Sequence, residues 1–334
     1  MAQEIRVGMI GMGGFMNVHS EGLGKIPGVK VVAITDPVAR NRANHKKRHA
    51  HLAQAAEYDD HRAMLRKESL DAVVIASPHT AHFDQIMAAL DKGLHVLVEK
   101  PMVCRIDHGV RVVKKVRQTG LVLTIGYHRH TAGPYRYMRR AIREGAVGKL
   151  QAIACYQAQE WKKACKGLWR QEPALSGGGQ LNDSGSHLID VMLWMTGLQA
   201  DVVSAQIDNC GTKVDINSAI SVRFTSGAVG TVTVVGDAPG WWEDISIIGD
   251  KGALYMRDRL GLTQQLGLRD AQMVVNADAL GSQSVAFDFI AAIQGKGKPV
   301  APAECGLRVI ELTEAAWKSA ARGGKPVKVP RTRL

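Results

Sequence analysis

The segment SGGGQLNDSGSHLIDVMLWMTG, residues 176–197, carries a carboxylate and an imidazole four positions apart. A helix that begins near Asp183 and ends at Gly197 would point Asp183 and His187 into the same space, with Asp190 further along the same edge. A carboxylate beside a histidine fixes the imidazole tautomer and favours its charged form, which prepares a general base. The spacing also fits a simpler alternative, in which Asp183 only caps the helix and His187 is an interior histidine whose hydrogen bonds are satisfied.

A second reactive group ends the apolar run HVLVEKP, residues 95–101. The run predicts a buried strand, yet Pro101 cannot donate to a sheet ladder, and Glu99 and Lys100 are costly to bury unless they are paired or used. We therefore expect Lys100 to enter a cleft at the strand end, and the bond between Lys100 and Pro101 is a candidate for the cis form. Glu99 either pairs with Lys100 or braces the loop.

The N-terminal segment predicts a turn that binds a dinucleotide. Strand IRVGMIG (residues 5–11) leads into a glycine turn, a helix to about residue 26 and a strand KVVAITD that ends at Asp36. Such a turn lets the backbone approach a pyrophosphate at a helix N-terminus. A plain βαβ turn is the alternative, and Met16 stands where the fingerprint has glycine or alanine. The residues that we assign to the turn are Gly11, Gly13, Gly14, Phe15 and Met16.

The acidic residue at the end of the second strand indicates which dinucleotide is bound. Asp36 can accept hydrogen bonds from a ribose diol and repels a 2′-phosphate, which favours NAD. Arg40 and Arg42 follow closely and could clamp a phosphate, so NADP stays an alternative.

The elements that must position these groups alternate in type over residues 1–126. Strand LDAVVIASP, a helix over about 80–92, strand HVLV, a helix over 107–119 and strand LVLTIGY follow one another. This rhythm predicts a doubly wound parallel sheet, in which ligands bind at the carboxyl ends of the strands. Gly11, Asp36, Ser77 and Lys100 all fall at such ends.

The pattern changes over residues 127–334, the predicted second domain. A helix precedes alternating segments that include INSAISVRFTS and AVGTVTVVG, which Ser226 and Gly227 join as a hairpin, and two helices close the chain. We predict an α/β domain with a large open, mainly antiparallel sheet. One face of that sheet needs a cover, so we expect a homodimer or homotetramer formed through it.

Composition narrows the function classes. The 334 residues are 46% hydrophobic, and the apolar runs are strand-sized, so no membrane partner is expected. Five scattered cysteines lack metal spacing and indicate reduced thiols and a cytoplasmic location. The formal charge is +12, partly in residues 40–51; without a nucleic-acid module, a solvated helix face is favoured there over a nucleic-acid or phosphate patch.

The order of motifs resembles the Gfo/Idh/MocA oxidoreductase family. GMGGFMNVHS, ASPHTAHFDQIMAALDKGLHVLVEKPM, GYHRH and WRQEPALSGGGQLNDSGSHLID carry the resemblance, which runs along essentially the whole chain. It implies a Rossmann domain, a second α/β domain with an open sheet, and NAD(P)-dependent oxidation of a secondary alcohol of a sugar or cyclitol. It also implies that Lys100, Asp183 and His187 are catalytic.

Two departures from the family pattern place imidazoles in the expected nicotinamide and substrate region. His79 stands where the family often has asparagine, and the G-[FY]-N-R-R-F segment is replaced by GYHRH, residues 126–130. Besides the glycine turn and Asp36, the cofactor-binding set contains Arg40, Ser77, Pro78, His79, His82, Glu99, Lys100 and His128. The substrate-binding set contains Lys100, Arg129, Trp161, Trp169, Arg170, Asp183 and His187.

These assignments give a mechanism hypothesis. His187 removes the alcohol proton, Asp183 holds His187 or binds a neighbouring hydroxyl, and Lys100 donates a hydrogen bond to the reacting oxygen or is itself the base. Two other functions stay open: a redox-neutral enzyme that acts on glycosides through a transient keto sugar, and a non-catalytic dinucleotide-binding sensor.

Overall fold

The computed structural model describes residues 4–257, 262–267, 272–274 and 281–332. Strands and helices alternate in the first part of the chain, as the sequence predicts. They are β1 (Ile5–Ile10), α1 (Met16–Gly24), β2 (Val29–Thr35), α2 (Ala39–Arg48), β3 (Ala56–Tyr58), α3 (His61–Lys67), β4 (Ala72–Ile75), α4 (His82–Asp91), β5 (His95–Val98), α5 (Ile106–Thr119) and β6 (Leu123–Ile125).

The first sheet is a doubly wound parallel sheet. Its strand order is β3-β2-β1-β4-β5-β6, and every pair is parallel. The order reverses between β1 and β4, which opens a crevice at the carboxyl ends of these strands. The predicted Rossmann architecture is confirmed.

Both faces of this sheet are covered, and its central strand β4 (AVVI) is apolar and buried at every position. In β4, Val73 and Ile75 pack into one core layer, while Ala72 and Val74 pack into the other. The second layer also contains Phe289, which reaches the first sheet from near the end of the chain.

The second part of the chain is built around a larger sheet. Its elements are α6 (Gly133–Arg143), β7 (Leu150–Ala158), α7 (Trp161–Ala164), α8 (Pro173–Ser176), α9 (Ser184–Thr196), β8 (Ala200–Asp208), β9 (Asn217–Phe224), β10 (Val229–Val235), β11 (Trp242–Gly249), β12 (Gly252–Arg257), β13 (Leu262–Gly267), β14 (Gln272–Val274), α10 (Val285–Ile293), α11 (Ala303–Ala320) and β15 (Val327–Lys328).

The nine described strands of the second sheet are mainly antiparallel, as predicted. Their order is β14-β13-β12-β11-β7-β10-β9-β8-β15, and only the pair of β7 and β10 is parallel among these strands. The predicted hairpin at Ser226 and Gly227 joins β9 to β10, with Gly227 at a φ of 91°.

The second sheet has one covered and one open face. Buried and exposed residues alternate along β9, and α9 and α11 pack on the buried side. On the other side Tyr156, Val229 and Ile248 are exposed, beside a shallow groove of about 590 Å³. The structure therefore has the open face that the sequence predicts.

Helix α10 packs against α1, β5 and β6, so the chain returns to the first sheet after building the second. The division of the chain between residues 126 and 127 stays a prediction.

Among the described residues no helix combines the length and the apolar character that a membrane crossing requires.

Some short elements are absent from the sequence prediction. Strands β3 and β15 have three and two residues, which is too short for a periodic pattern to show. The helix expected from residue 80 begins at His82 after a 3₁₀ turn. The alternating segment GALYMRD, residues 252–258, also predicts a strand; the strand ends at Arg257, and Asp258 lies outside the described residues.

Candidate active site

A cavity of about 500 Å³ lies where the carboxyl edge of the first sheet meets the second sheet and the start of α9. Lys100 enters it from the end of β5, through a Lys100–Pro101 bond that is cis as predicted, and His128 enters from the segment after β6. The lining is made of Phe15, Lys100, His128, Arg129, Tyr135, Gln157, Trp161, Cys165, Arg170, Asp183, Ser184, His187 and Trp241.

The carboxylate of Asp183 is the centre of the hydrogen bonds in this cavity. Lys100 Nζ donates to Asp183 Oδ1 at 2.5 Å, while Trp161 Nε1 and Arg170 Nε donate to Oδ2 at 2.8 and 3.0 Å. Burial alone would raise the pKa of this carboxyl, but Lys100, His79 and Arg170 hold it well below its usual range. The carboxyl group of Asp183 is therefore ionised and orients the three donors.

Asp183 precedes α9 without capping it through its side chain. The simpler reading of Asp183 as only a helix cap is thus wrong. Helix α9 ends at Thr196, and Gly197 follows it in the left-handed backbone conformation, as expected from the sequence.

The glycine-rich segment before α9 is packed tightly. A Cβ at Gly179 would lie 2.0 Å from the backbone oxygen of Asp215, so only glycine fits there. The buried Asp215 carboxylate accepts hydrogen bonds from the backbone N–H groups of Gly179 and Leu181 and from Trp317 Nε1. These contacts fix the backbone that presents Asp183.

The expected pairing of Asp183 with His187 does not form. Both side chains line the cavity, but Asp183 is occupied by Lys100, Trp161 and Arg170, and His187 Nδ1 is buried without a partner among the described residues. Burial, His128 and Lys100 lower the pKa of His187 well below its ordinary 6.5. The expectation of a favoured charged form is therefore wrong, and the imidazole is neutral at pH 7.

Asp190, which was expected near His187 on the same helix edge, forms its hydrogen bond with a different histidine. His130 lies between Asp190 Oδ2, at 2.6 Å from Nε2, and the carbonyl of Val300, at 2.7 Å from Nδ1. The ring that lies against His187 is instead His128, with centroids 4.5 Å apart. Burial lowers the pKa of His128 to about 4, so the cavity holds two neutral imidazoles in contact.

Glu99 braces the loop and does not pair with the ammonium group of Lys100. His19 Nε2 lies 2.7 Å from Glu99 Oε1, and the backbone N–H of Lys100 donates to Oε2 at 3.3 Å. The buried Glu99 carboxylate thus ties helix α1 to the backbone that carries Lys100. Its assignment to cofactor binding stays a prediction.

The turn after β1 fits a dinucleotide. Gly11 has a φ of 89° and lies so close to Ala76 and Ser77 that a Cβ would be 2.7 Å from Ser77 N. Above Gly13 and Gly14 there is open space for a phosphate group. Within the described residues, the backbone N–H groups of Gly13, Gly14 and Phe15 have no protein acceptor, so they can donate to such an anion.

Two residues assigned to the cofactor do not face it. Met16 is fully buried in the core, and its N–H donates to the Gly13 carbonyl. His82 is fully buried too, with its two nitrogens at 2.8 and 3.0 Å from the carbonyls of Pro101 and Ser77. Both expectations are wrong, because a side chain that packs in the core or binds two backbone carbonyls cannot reach a ligand.

Asp36 joins the glycine turn to the next strand. Its carboxylate accepts hydrogen bonds from the N–H groups of Met12 and Val38, at 2.8 and 2.9 Å, and from Asn41 Nδ2 at 3.1 Å. A carboxylate has about four acceptor sites, so one is left for a ribose hydroxyl. Arg40 is exposed at the start of α2, whereas Arg42 binds the carbonyl of Asp36 and Glu57.

The segment after β4 carries the next group of predicted cofactor ligands. Ser77 and Pro78 are half-buried at the strand end, and Ser77 Oγ donates to Gln85. His79 is buried, with Nδ1 at 3.1 Å from the carbonyl of Ser176, and burial lowers its pKa to about 3. His79 thus joins the first sheet to the glycine-rich segment and does not line the cavity.

The substrate-binding set is only partly gathered around the cavity. Arg129, Trp161 and Arg170 line it, but Trp169 does not: its ring packs against His79 and lies under the Arg170 guanidinium. Trp169 therefore positions Arg170.

The sequence pattern does not identify Tyr135 and Gln157, which line the cavity, or Glu243, which lies beside Gln157. Glu243 binds the Arg129 guanidinium through Nε and Nη2 and accepts from the Tyr135 hydroxyl at 2.6 Å, and Gln157 is buried beside it. The signal was available for two of them, because Glu243 and Gln157 occupy the buried phase of their strands. A polar residue in that phase needs a partner or a ligand.

Comparison with known proteins identifies the family over most of the chain. Residues 5–127 match the model described as "Oxidoreductase family, NAD-binding Rossmann fold", and residues 135–255 match "GFO/IDH/MocA C-terminal domain". The scyllo-inositol 2-dehydrogenase (NAD(+)) of Bacillus subtilis (strain 168) is 26% identical over 268 residues, 77% of this chain and 75% of that protein. The D-glucoside 3-dehydrogenase of Escherichia coli (strain K12) is 24% identical and covers 96% of both chains.

A solved structure shares the fold over almost the full length. Levoglucosan dehydrogenase in complex with NADH and levoglucosan superimposes with a TM-score of 0.87 at 21% identity, over 98% of this chain and 100% of that one. The two family matches together span most of the chain, on both sheets. The protein therefore belongs to the GFO/IDH/MocA family of oxidoreductases with an NAD-binding Rossmann fold.

Proposed function

We propose that this protein transfers a hydride between NAD and a secondary alcohol or ketone of a sugar or cyclitol, and that Lys100, His187 and Asp183 carry out the protein's part of the reaction. The observation that carries the proposal is the bond from Lys100 to Asp183 in a cavity at the carboxyl edge of the Rossmann sheet. The inositol and glucoside dehydrogenases among the relatives support this substrate class.

The residues divide the chemistry as follows. When bound, the oxidised nicotinamide accepts the hydride. An ammonium group has three N–H donors, so Lys100 keeps two for the alcohol oxygen after binding Asp183. The neutral imidazole of His187 has a nitrogen available for the proton that leaves the hydroxyl, and Asp183 stabilises the ammonium that binds the developing negative charge.

Substitution of Lys100 and His187 tests these roles. We expect Lys100→Met to lower kcat about 10²- to 10³-fold, because it removes the donor to the reacting oxygen. We expect His187→Ala to lower kcat by about 10² or more. Because the pKa of His187 lies well below 6.5, the imidazole stays neutral as the pH falls, and oxidation should show no His187-dependent decline between pH 8 and 6. Steady-state NADH formation from pH 5 to 10 measures all three effects.

Binding of NADH to each variant is the control, since neither substitution removes a predicted phosphate contact. A decline that starts above pH 8 in the wild type and persists in His187→Ala would show that Lys100 is the base. Near-wild-type turnover of Lys100→Met would refute the proposal. Net NADH formation separates a dehydrogenase from the redox-neutral alternative.

The arrangement at Asp36 supports NAD over NADP. We expect NADH to bind about tenfold or more tightly than NADPH in a fluorescence titration, because a 2′-phosphate would meet the carboxylate of Asp36. Gly13→Ala should weaken binding of both nucleotides without changing the melting temperature, because its Cβ enters open space. Tighter binding of NADPH would contradict the Asp36 argument, and unchanged binding to Gly13→Ala would contradict the placement of the phosphates.

The open face of the second sheet supports association with a second copy of this chain. Val229 and Ile248 are exposed on that face, which has no helix over it among the described residues.

The five cysteines are free, which agrees with a reducing, cytoplasmic location.

Light scattering after size exclusion tests the association. We expect a mass of two or four chains of 36.1 kDa, reduced in the double variant Val229→Arg/Ile248→Arg. Phe287→Arg, on α10 and equally exposed, is the matched control and should keep the wild-type mass. A monomeric wild type would contradict the proposed interface.

A further inference from the structure

Arg129 has a donor that the protein does not use. Its side chain is 4% exposed, and Glu243 binds Nε and Nη2, but Nη1 is buried without an acceptor among the described residues. A buried guanidinium N–H without a partner costs free energy unless a ligand or water completes it. Arg129 lines the cavity, so a substrate can supply that acceptor.

Gln157 is an unused amide beside it. The residue is 0% exposed, and neither Nε2 nor Oε1 has a partner among the described residues. Gln157 on β7 is the direct cross-strand neighbour of Glu243 on β11. Glu243 binds Arg129, which lies in the 3₁₀ turn after β6, so the free amide and the free Nη1 belong to two side chains beside one carboxylate.

The cavity as a whole favours an acceptor with negative charge. Its lining holds three cations, Lys100, Arg129 and Arg170, and one carboxylate, Asp183; counting Glu243 as the partner of Arg129 still leaves one positive charge in excess. Glu99 does not line the cavity and is bound by His19.

The histidines do not change the sign of this excess. The pKa values of His128 and His187 lie below their ordinary value, chiefly because of burial, so both are neutral at pH 7. Arg170 uses only Nε for Asp183 within the described residues, which leaves its other N–H groups as donors. Guanidinium groups can only donate, and a carboxylate can only accept.

We propose that the substrate is a sugar acid whose carboxylate binds Arg129 Nη1 and the Gln157 amide while its secondary alcohol lies at Lys100. The inference rests on the proposed function, because it takes Lys100 as the site of oxidation. A carboxylate carries one negative charge and matches the excess in the cavity, whereas a phosphate dianion exceeds it.

Binding of matched pairs to the NADH-loaded protein tests the inference by calorimetry. The pairs are D-glucuronate with D-glucose and D-galacturonate with D-galactose, with D-gluconate and D-glucose 6-phosphate as further acidic probes. At least one sugar acid should bind about tenfold or more tightly than its neutral parent and than the phosphate, since hydrogen bonds to charged groups are the stronger ones.

Substitution of Gln157 locates the carboxylate. Gln157→Glu keeps the size of the side chain and places a negative charge where the substrate carboxylate would bind, so the affinity for the acid should fall about tenfold or more. Binding of the neutral parent sugar should change much less. Gln157→Met is the matched control: it removes the amide without adding charge and should weaken acid binding less than Gln157→Glu.

The outcomes separate this inference from the proposed function. If no sugar acid binds more tightly than its neutral parent, or if Gln157→Glu does not weaken acid binding, the inference is wrong, even if a neutral sugar is oxidised. If no alcohol of any class reduces NAD⁺, the proposed function fails, and the binding comparison still decides whether the cavity selects a carboxylate.

Discussion

The buried carboxylate of Asp183 is the interaction on which the rest of the site depends. It binds Lys100 after β5 of the first sheet, Trp161 at the start of α7 and Arg170 in the turn before α8. An isolated carboxylate at this depth would be very unfavourable, and the three donors compensate for its burial. The bond from Lys100 joins the carboxyl edge of the first sheet to the residue that precedes α9.

Both parts of the fold position this carboxylate and its Lys100 partner. The Rossmann sheet delivers Lys100 at a strand end, where Glu99 and His19 fix the preceding backbone. On the other side, Gly179 lies against Asp215 and sets the backbone that leads into α9. The cavity between them is lined by three cations and one carboxylate, and this excess of positive charge is the basis of the proposed sugar-acid substrate.

Much of this arrangement follows from the sequence. The alternation of strands and helices predicts the parallel sheet, and the charged end of β5 predicts Lys100, because both depend on patterns over neighbouring residues. The partners of Asp183 were not predictable in this way: Lys100, Trp161 and Arg170 lie 83, 22 and 13 residues away, and they displace the helical neighbour His187. Met16 and His82 fit a local motif, but tertiary packing decides which way they face.

The coupling between Asp183 and Lys100 can be measured by a double-mutant cycle on the free energy of unfolding. Urea denaturation of the wild type, Lys100→Met, Asp183→Asn and the double variant gives the coupling energy. We predict a coupling of about 1–3 kcal/mol, with the double variant less destabilised than the sum of the single variants. Additive effects, with a coupling within about 0.3 kcal/mol of zero, would contradict it.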